Sequence, residues 1–170
     1  MKVIIIGAGF TGTQLAKRLI ADQNDVVLID KNEEVVRHAS NRLDCMVVHA
    51  NGNSLDTLIE VGIAKADALV ALTESDELNM ITCSLVQSVY PKDLKIARVR
   101  NESYYPNEKS ITQKEQRALY GIDFMVHPDF EAASAIVNAV EHGAISDVLE
   151  IEDSPYEVAR VTIERGCKLE

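Results

Sequence analysis

Short apolar runs alternate six times with stretches whose apolar residues recur at helical spacing. Lys2–Ile6 is β-branched and apolar, the pattern of a fully buried strand. Residues 13–21 follow as a helix, with Leu15, Ala16, Leu19 and Ile20 on one side. Residues 25–29 form a second apolar run that ends on Asp30. Asn32 is placed to cap a helix over 33–42, and 43–50 reads as a third strand. The polar turn 51–54 leads into a helix through Val61, capped by Ser54 and ended by Gly62. A fourth strand over 67–72 precedes a helix from Asp76 to about Val89, whose Leu78, Ile81, Leu85 and Val89 make one apolar face. Pro91 interrupts the pattern before a fifth strand over 94–99. The polar segment 101–109, a helix near 110–120 closed by Gly121, a sixth strand over 122–126 and a helix from Phe130 to about His142 complete the alternation. Strands and helices alternating at short connections predict an α/β fold, a Rossmann-like doubly wound parallel sheet of six strands. From Val148 the period changes: two alternating stretches within 149–163, around Ser154-Pro155, predict a short β tail.

The first of these transitions carries chemistry. The strand Lys2–Ile6 runs into Gly7-Ala8-Gly9-Phe10-Thr11-Gly12, a helix follows, and the next strand ends on Asp30. This is the dinucleotide-binding fingerprint. Gly7 serves the tight turn, Gly9 leaves room for phosphate beside the backbone, and Gly12 lets the helix pack close to the sheet. The helix N-terminus offers free amides and a positive dipole end to a diphosphate. Asp30 stands about 20 residues beyond the loop, where an acid accepts hydrogen bonds from ribose hydroxyls. Doubly wound sheets bind ligands at the carboxyl ends of their strands. That edge is expected to carry Gly7–Gly12, Asp30, residues 51–53, residues 73–76 and Arg98.

Composition narrows the function. With 17 basic and 27 acidic residues the formal charge is −10, which argues against nucleic acid as a partner because phosphate contacts need clustered Lys and Arg. No apolar run approaches the roughly 20 residues of a membrane span, and the chain opens on a strand pattern, so a cytoplasmic protein without direct membrane insertion is expected. Cys45, Cys83 and Cys167 are widely spaced and fit neither a disulfide framework nor a zinc site. The 170 residues suit one domain, or one domain and the start of another.

The longer motifs are more specific than the fingerprint. The residues Ile5-Ile6-Gly7 through Gly12 to Leu19, Val26 to Asp30, Gly52 to Asp67, Ala71-Leu72-Thr73-Glu74-Ser75-Asp76-Glu77-Leu78-Asn79, Lys95 to Arg100 and Tyr120 to Pro128 together resemble the nucleotide-binding RCK (KTN) domain. That domain forms the N-terminal half of Trk-type, TrkA-like regulators of potassium uptake. The resemblance covers about 130 residues. It implies a domain over 1–128, a crossover or dimerisation helix and hinge over 129–150, and a β tail over 151–170 that begins a truncated C-terminal domain. It further implies a homo-oligomeric regulatory subunit, peripheral to the inner face of the cell membrane, that binds NAD(H) or an adenine nucleotide (ATP, ADP or AMP). Such a subunit gates a membrane potassium transporter of the Trk or Ktr type. Carried over, Gly7, Gly9, Phe10, Thr11 and Gly12 hold phosphate, and Asp30 and Lys31 lie at the adenosine ribose. Asn51, Gly52 and Asn53 line the adenine side, Leu72, Thr73 and Asp76 the far side, and Arg98 pairs with phosphate or the distal sugar. Two departures stand out: many relatives carry Arg where this chain has Phe10, and Asp where it has Asn53.

Other readings of the same residues remain open in the sequence. Residues 73–77 also read as an acid-rich helix start stabilised by the dipole. Arg98 reads equally as a surface ion pair, Glu74, Asp76 and Glu77 as a hard-cation cluster, and His127 as structural. The rival function is an NAD-dependent oxidoreductase, or a redox-sensing Rossmann protein unrelated to ion transport. Hydride transfer needs a substrate pocket and a positioned proton donor beside the nicotinamide. Tyr105 and Lys109 stand at Tyr-x-x-x-Lys spacing but in the polar, Pro-containing segment 101–109 and not on a predicted helix, so no catalytic residue and no metal ligand is expected.

Overall fold

The computed structural model describes residues 1–91, 94–105, 120–142, 147–150 and 157–160. Within them β1 (Lys2–Ile6), β2 (Asp25–Asp30), β3 (Met46–His49), β4 (Ala68–Ala71), β5 (Leu94–Arg98) and β6 (Phe124–Val126) form one sheet in the order β3-β2-β1-β4-β5-β6. Every pairing is parallel. The order reverses beside β1, which creates the switch-point crevice at the carboxyl ends of β1 and β4.

Helices α1 (Phe10–Ala21), α2 (Glu33–Ser40), α3 (Leu55–Glu60) and α4 (Asp76–Val89) cover both faces. Alternate residues of the central strands feed two separate cores. Val3, Ile5, Val26, Leu28, Ala68 and Val70 pack with Ala16 of α1 and Ala39 of α2. Ile4, Ile6, Val27, Ile29, Leu69 and Ala71 pack with Leu58 of α3 and with Met80, Cys83 and Val86 of α4. Burial on both faces explains why β1 and β2 are unbroken apolar runs, without the alternation of a half-exposed strand.

Caps set most boundaries. Asn32 Oδ1 accepts from the amides of Glu34 and Val35, Ser54 Oγ from Thr57, and Ser75 Oγ from Leu78. Helix α1 starts three residues earlier than its apolar pattern suggests, because Phe10, Thr11 and Gly12 form its first turn. Strand β3 is shorter than its apolar run.

The apolar face expected of α4 is the wrong one. Ile81 is 61% and Val89 42% exposed, while Asn79, Thr82 and Cys83 are fully buried against the sheet. The buried face accepts these small and polar residues because each finds a partner. Thr82 Oγ1 donates to Leu78 O at 2.7 Å, Cys83 Sγ to Ile96 O at 3.8 Å, and Asn79 Nδ2 to Arg98 O at 2.9 Å. Lys95 is 1% exposed and is paired with Asp123, Nζ to Oδ2 3.0 Å, which ties β5 to the entry of β6. The helix expected near 110–120 lies outside the described residues apart from Tyr120.

A compact unit spans Met1–His127, and a second unit begins at Pro128. The latter contains helix α5 (Pro128–His142) and the antiparallel pair β7 (Asp147–Glu150) and β8 (Glu157–Arg160), in register Asp147 to Arg160. On α5, Phe130, Ile136, Val137 and Val140 are 53%, 64%, 49% and 79% exposed. Among the described residues no helix is long and apolar enough to cross a membrane.

Candidate functional site

A cleft of about 580 Å³ opens at the carboxyl ends of β1, β2 and β4. Its floor is the loop between β1 and α1. Gly7 adopts φ +102°, and a Cβ there would sit 3.0 Å from the Leu72 carbonyl carbon, so β1 can turn beside the end of β4 only with glycine at this position. A Cβ on Gly12 would sit 1.9 Å from the Gly7 carbonyl oxygen, which makes its lack of a side chain a packing requirement. Gly9 differs from both: nothing lies within 4 Å of where its Cβ would project.

Gly9 caps α1 without a side-chain hydrogen bond, and no acid occupies the first turn. The first intrahelical bond of the loop runs from Thr13 N to Gly9 O at 2.9 Å. The amides of Phe10, Thr11 and Gly12 therefore stand at an uncapped, positively polarised helix end facing the cleft. Phe10 is 84% exposed on the rim.

Asp30 ends β2 on the opposite side of the loop. Its Oδ2 accepts from Ala8 N at 2.7 Å and its Oδ1 from Asn32 N at 2.8 Å. One carboxylate thus ties the glycine loop to the cap of α2. Each oxygen keeps a further lone pair for a ligand hydroxyl. Lys31 lines the cleft beside it, its carbonyl 3.0 Å from His49 Nε2.

The third wall is the turn from β4 into α4. Thr73 N donates to Asn79 Oδ1 at 2.9 Å, and the Thr73 hydroxyl donates to the same oxygen at 2.7 Å. Arg98 crosses from β5 and donates from NH2 to Thr73 O at 2.6 Å. On the outer side of α4, Glu77 accepts from the Ser75 and Tyr104 hydroxyls, each at 3.0 Å. Its own backbone amide and these two hydroxyls hold the Glu77 carboxyl below its ordinary range, and the bond to Glu77 pushes the Tyr104 phenol up.

Twelve of the residues expected from sequence line this one cleft: Gly7, Gly9, Phe10, Thr11, Gly12, Asp30, Lys31, Asn51, Gly52, Leu72, Thr73 and Arg98. Two do not. Asn53 lies beyond the lining on the turn it shares with Asn51 and Gly52. Asp76 lies behind the wall, 8% exposed, where its Oδ2 accepts from the amides of Arg100 and Asn101, each at 2.8 Å. The backbone after β5 takes up this carboxylate, so it does not face the cleft. The cation-cluster reading fails for the same reason: among the described residues no group of acids gathers to hold a metal. Glu74 and Ser75, within the expected edge 73–76, also line the cleft, and sequence reasoning missed Ile6, Ile29, Asn32, Val35 and Leu78. Ile6, Ile29 and Asn32 lie within two residues of Gly7 or Asp30, which was their signal. His127 is 8% exposed and packs near Tyr105, ring centroids 6.0 Å apart, a structural setting.

The TrkA-N domain family model matches residues 3–128. The chain is 34% identical to the Trk system potassium uptake protein TrkA of Haemophilus influenzae, over 99% of this chain and 36% of that protein. It is 32% identical to the TrkA homolog of Methanothermobacter thermautotrophicus, over 96% of this chain and 71% of that one. The chain therefore spans little more than a third of the length of several curated relatives it matches. Among solved structures, GsuK bound to ADP superposes with TM-score 0.64 at 25% identity, over 83% of this chain and 34% of that chain. The GsuK channel bound to NAD superposes with TM-score 0.65 at 24% identity, over 85% and 24%. The sheet order, the cleft and these matches agree, and the chain belongs to the TrkA-N domain family.

Proposed function

We propose that this chain is the nucleotide-binding module of a regulatory subunit that controls a membrane potassium transporter of the Trk or Ktr type. The observation that carries the reading is the combination at the glycine loop. An uncapped α1 N-terminus faces open space at Gly9, and the Asp30 carboxylate, with lone pairs to spare, closes the other side. Backbone amides suit phosphate, and a carboxylate suits vicinal sugar hydroxyls. The residues present therefore fit an adenine nucleotide or NAD(H). In this reading the amides of Phe10, Thr11 and Gly12 hold phosphate and Asp30 holds the ribose. Asn51 and Gly52 border the base, while Thr73 and Arg98 form the far wall.

The relatives named as potassium uptake proteins and the neighbours bound to ADP and NAD support this assignment. In this reading residues 1–128 bind nucleotide, 129–150 form a crossover and hinge through which copies self-associate, and 151–170 lead into a further domain. The exposed apolar residues of α5 supply the surface for such association. The module works as a switch at the cytoplasmic face of the membrane, binding its ligand without turning it over. A ligand acts on such an assembly only by binding one arrangement of subunits better than another.

The test is native mass spectrometry of the purified protein to identify any co-purifying nucleotide, followed by calorimetric titration with NADH, NAD, ATP, ADP and AMP. Micromolar binding of at least one is expected. No heat and no retained nucleotide up to millimolar ligand would overturn the assignment, and steady NADH oxidation with a hydride acceptor would replace the switch with an enzyme.

A further inference from the structure

The wall formed by residues 73–75 is joined to a stretch of chain that does not itself line the cleft. Of the segment 98–105, only Arg98 reaches the cleft. The rest is bound to the start of α4 by a polar latch. Asp76 is the centre of it: Oδ2 accepts both Arg100 N and Asn101 N at 2.8 Å, and Oδ1 lies 3.8 Å from Arg100 Nε. Arg100 NH2 donates to Glu74 O, and the Tyr104 hydroxyl donates to Glu77 Oε1. On the cleft side of the same helical turn, fully buried Asn79 holds the Thr73 amide and donates to the carbonyls of Thr73 and Arg98.

Asp76 and Asn79 are one helical turn apart, so the two ends of the latch sit on a single rigid element. Amides bonded to a buried carboxylate form charge-assisted bonds, and opening either partner alone leaves that carboxylate underpaired. The 73–79 turn and the 99–104 segment must therefore open together.

We propose that Asp76 is a positioning residue that makes 99–104 report the occupancy of the cleft: a ligand that orders the 73–75 wall orders that segment, which does not line the cleft, to the same extent. This rests on the nucleotide reading of the cleft. The output of the module is then a surface outside the cleft lining, altered in its local opening equilibrium without a change of fold.

Hydrogen exchange tests it. A ligand that binds only the closed form slows exchange through an opening in proportion to its excess over the dissociation constant, so a hundredfold excess slows it about a hundredfold. With ADP or NADH at that excess, the amides of Thr73, Arg100 and Asn101 are expected to slow by the same factor. In Asp76→Ala, at a hundredfold excess over that variant's own dissociation constant, the Thr73 amide should still slow while Arg100 and Asn101 do not respond. Asp76→Asn, which keeps one acceptor oxygen, should restore part of the response and serves if the alanine variant fails to fold. Calorimetric binding of either ligand without protection at Arg100 and Asn101 would overturn the relay, as would protection that persists in both variants. If neither ligand binds by calorimetry, the nucleotide reading itself fails and the relay falls with it.

Discussion

The Asp30 carboxylate accepts the backbone N–H of Ala8 at 2.7 Å, between the first two glycines of the loop that the motif sets it to oppose across a ligand. Its second oxygen takes the amide of Asn32, whose own side chain caps α2. The acid is therefore an anchor for both rims of the cleft before any sugar reaches it. This gives it two separable effects when removed.

Asp30→Ala is expected to weaken ADP or NADH binding by one to two orders of magnitude and also to lower stability by about 1–3 kcal/mol, because Ala8 N and Asn32 N lose a charged acceptor. Asp30→Asn keeps one acceptor oxygen and turns an NH2 toward the other amide, so it should recover only part of the stability and less of the affinity. Calorimetry and urea denaturation run on both variants separate the two losses.

The glycines of the loop should divide by readout. A Cβ on Gly12 would collide with the Gly7 carbonyl oxygen at 1.9 Å, so Gly12→Ala should cost about 1–3 kcal/mol or more through overpacking. Gly9 has extended backbone at φ −63° and open space around it. Gly9→Ala should leave stability within about 0.5 kcal/mol while cutting ligand affinity at least about tenfold by occupying the phosphate approach. Equal stability losses in the two variants would contradict this division.

Phe10 places an exposed apolar ring where phosphate charge would be neutralised. In Phe10→Arg, a cation at the helix N-terminus should raise affinity for ADP by about tenfold at low ionic strength. The gain should shrink at 0.5 M salt, where screening is short-ranged, and the melting temperature should hardly move.

The Glu77–Tyr104 bond should show in the pH dependence of stability. The Glu77 carboxyl is held below its ordinary 4.5, so its contribution is present above that value and lost as pH falls through the lower, folded one. The Tyr104 phenol is raised above 10.0, so its contribution is complete below 10 and lost as pH rises through the higher, folded value. The difference in melting temperature between wild type and Tyr104→Phe should be flat from about pH 5 to 9 and shrink at both ends.

Burial pushes the Cys83 thiol up to about 12, with the nearby Lys95 only partly offsetting it. At pH 8 about one molecule in ten thousand carries the thiolate that reacts with alkylating agents. Peptide mapping after iodoacetamide should find Cys83 unlabelled in the folded protein and labelled in denaturant. Cys45, half-buried and raised by burial and by Asp44, should react slowly without denaturant. Labelling of Cys83 at the rate of Cys45 would mean that α4 opens from the sheet far more often than its packing indicates.

The sequence alone determined the strand–loop–helix–strand unit at Lys2–Asp30, the six-strand parallel sheet and most of the cleft. These follow from local rules: apolar runs bury on both sides of a parallel sheet, glycines mark backbone that must turn or be approached, and Asn32, Ser54 and Ser75 start helices from their own side chains. Tertiary structure decided what depends on partners far along the chain. The side of α4 that enters the core carries Asn79, Thr82 and Cys83 and leaves Ile81 exposed, because a buried polar group is tolerated wherever it finds a bond and hydrophobic spacing does not record bonds. Asp76 sits one residue beyond the cleft wall in sequence, yet its carboxylate turns to the amides of Arg100 and Asn101. Asp30 holds Ala8 across 22 positions of chain. Such pairings arise only when separate strands come side by side, which is why a motif could name Asp30 as a site residue and could not say that it also builds the loop.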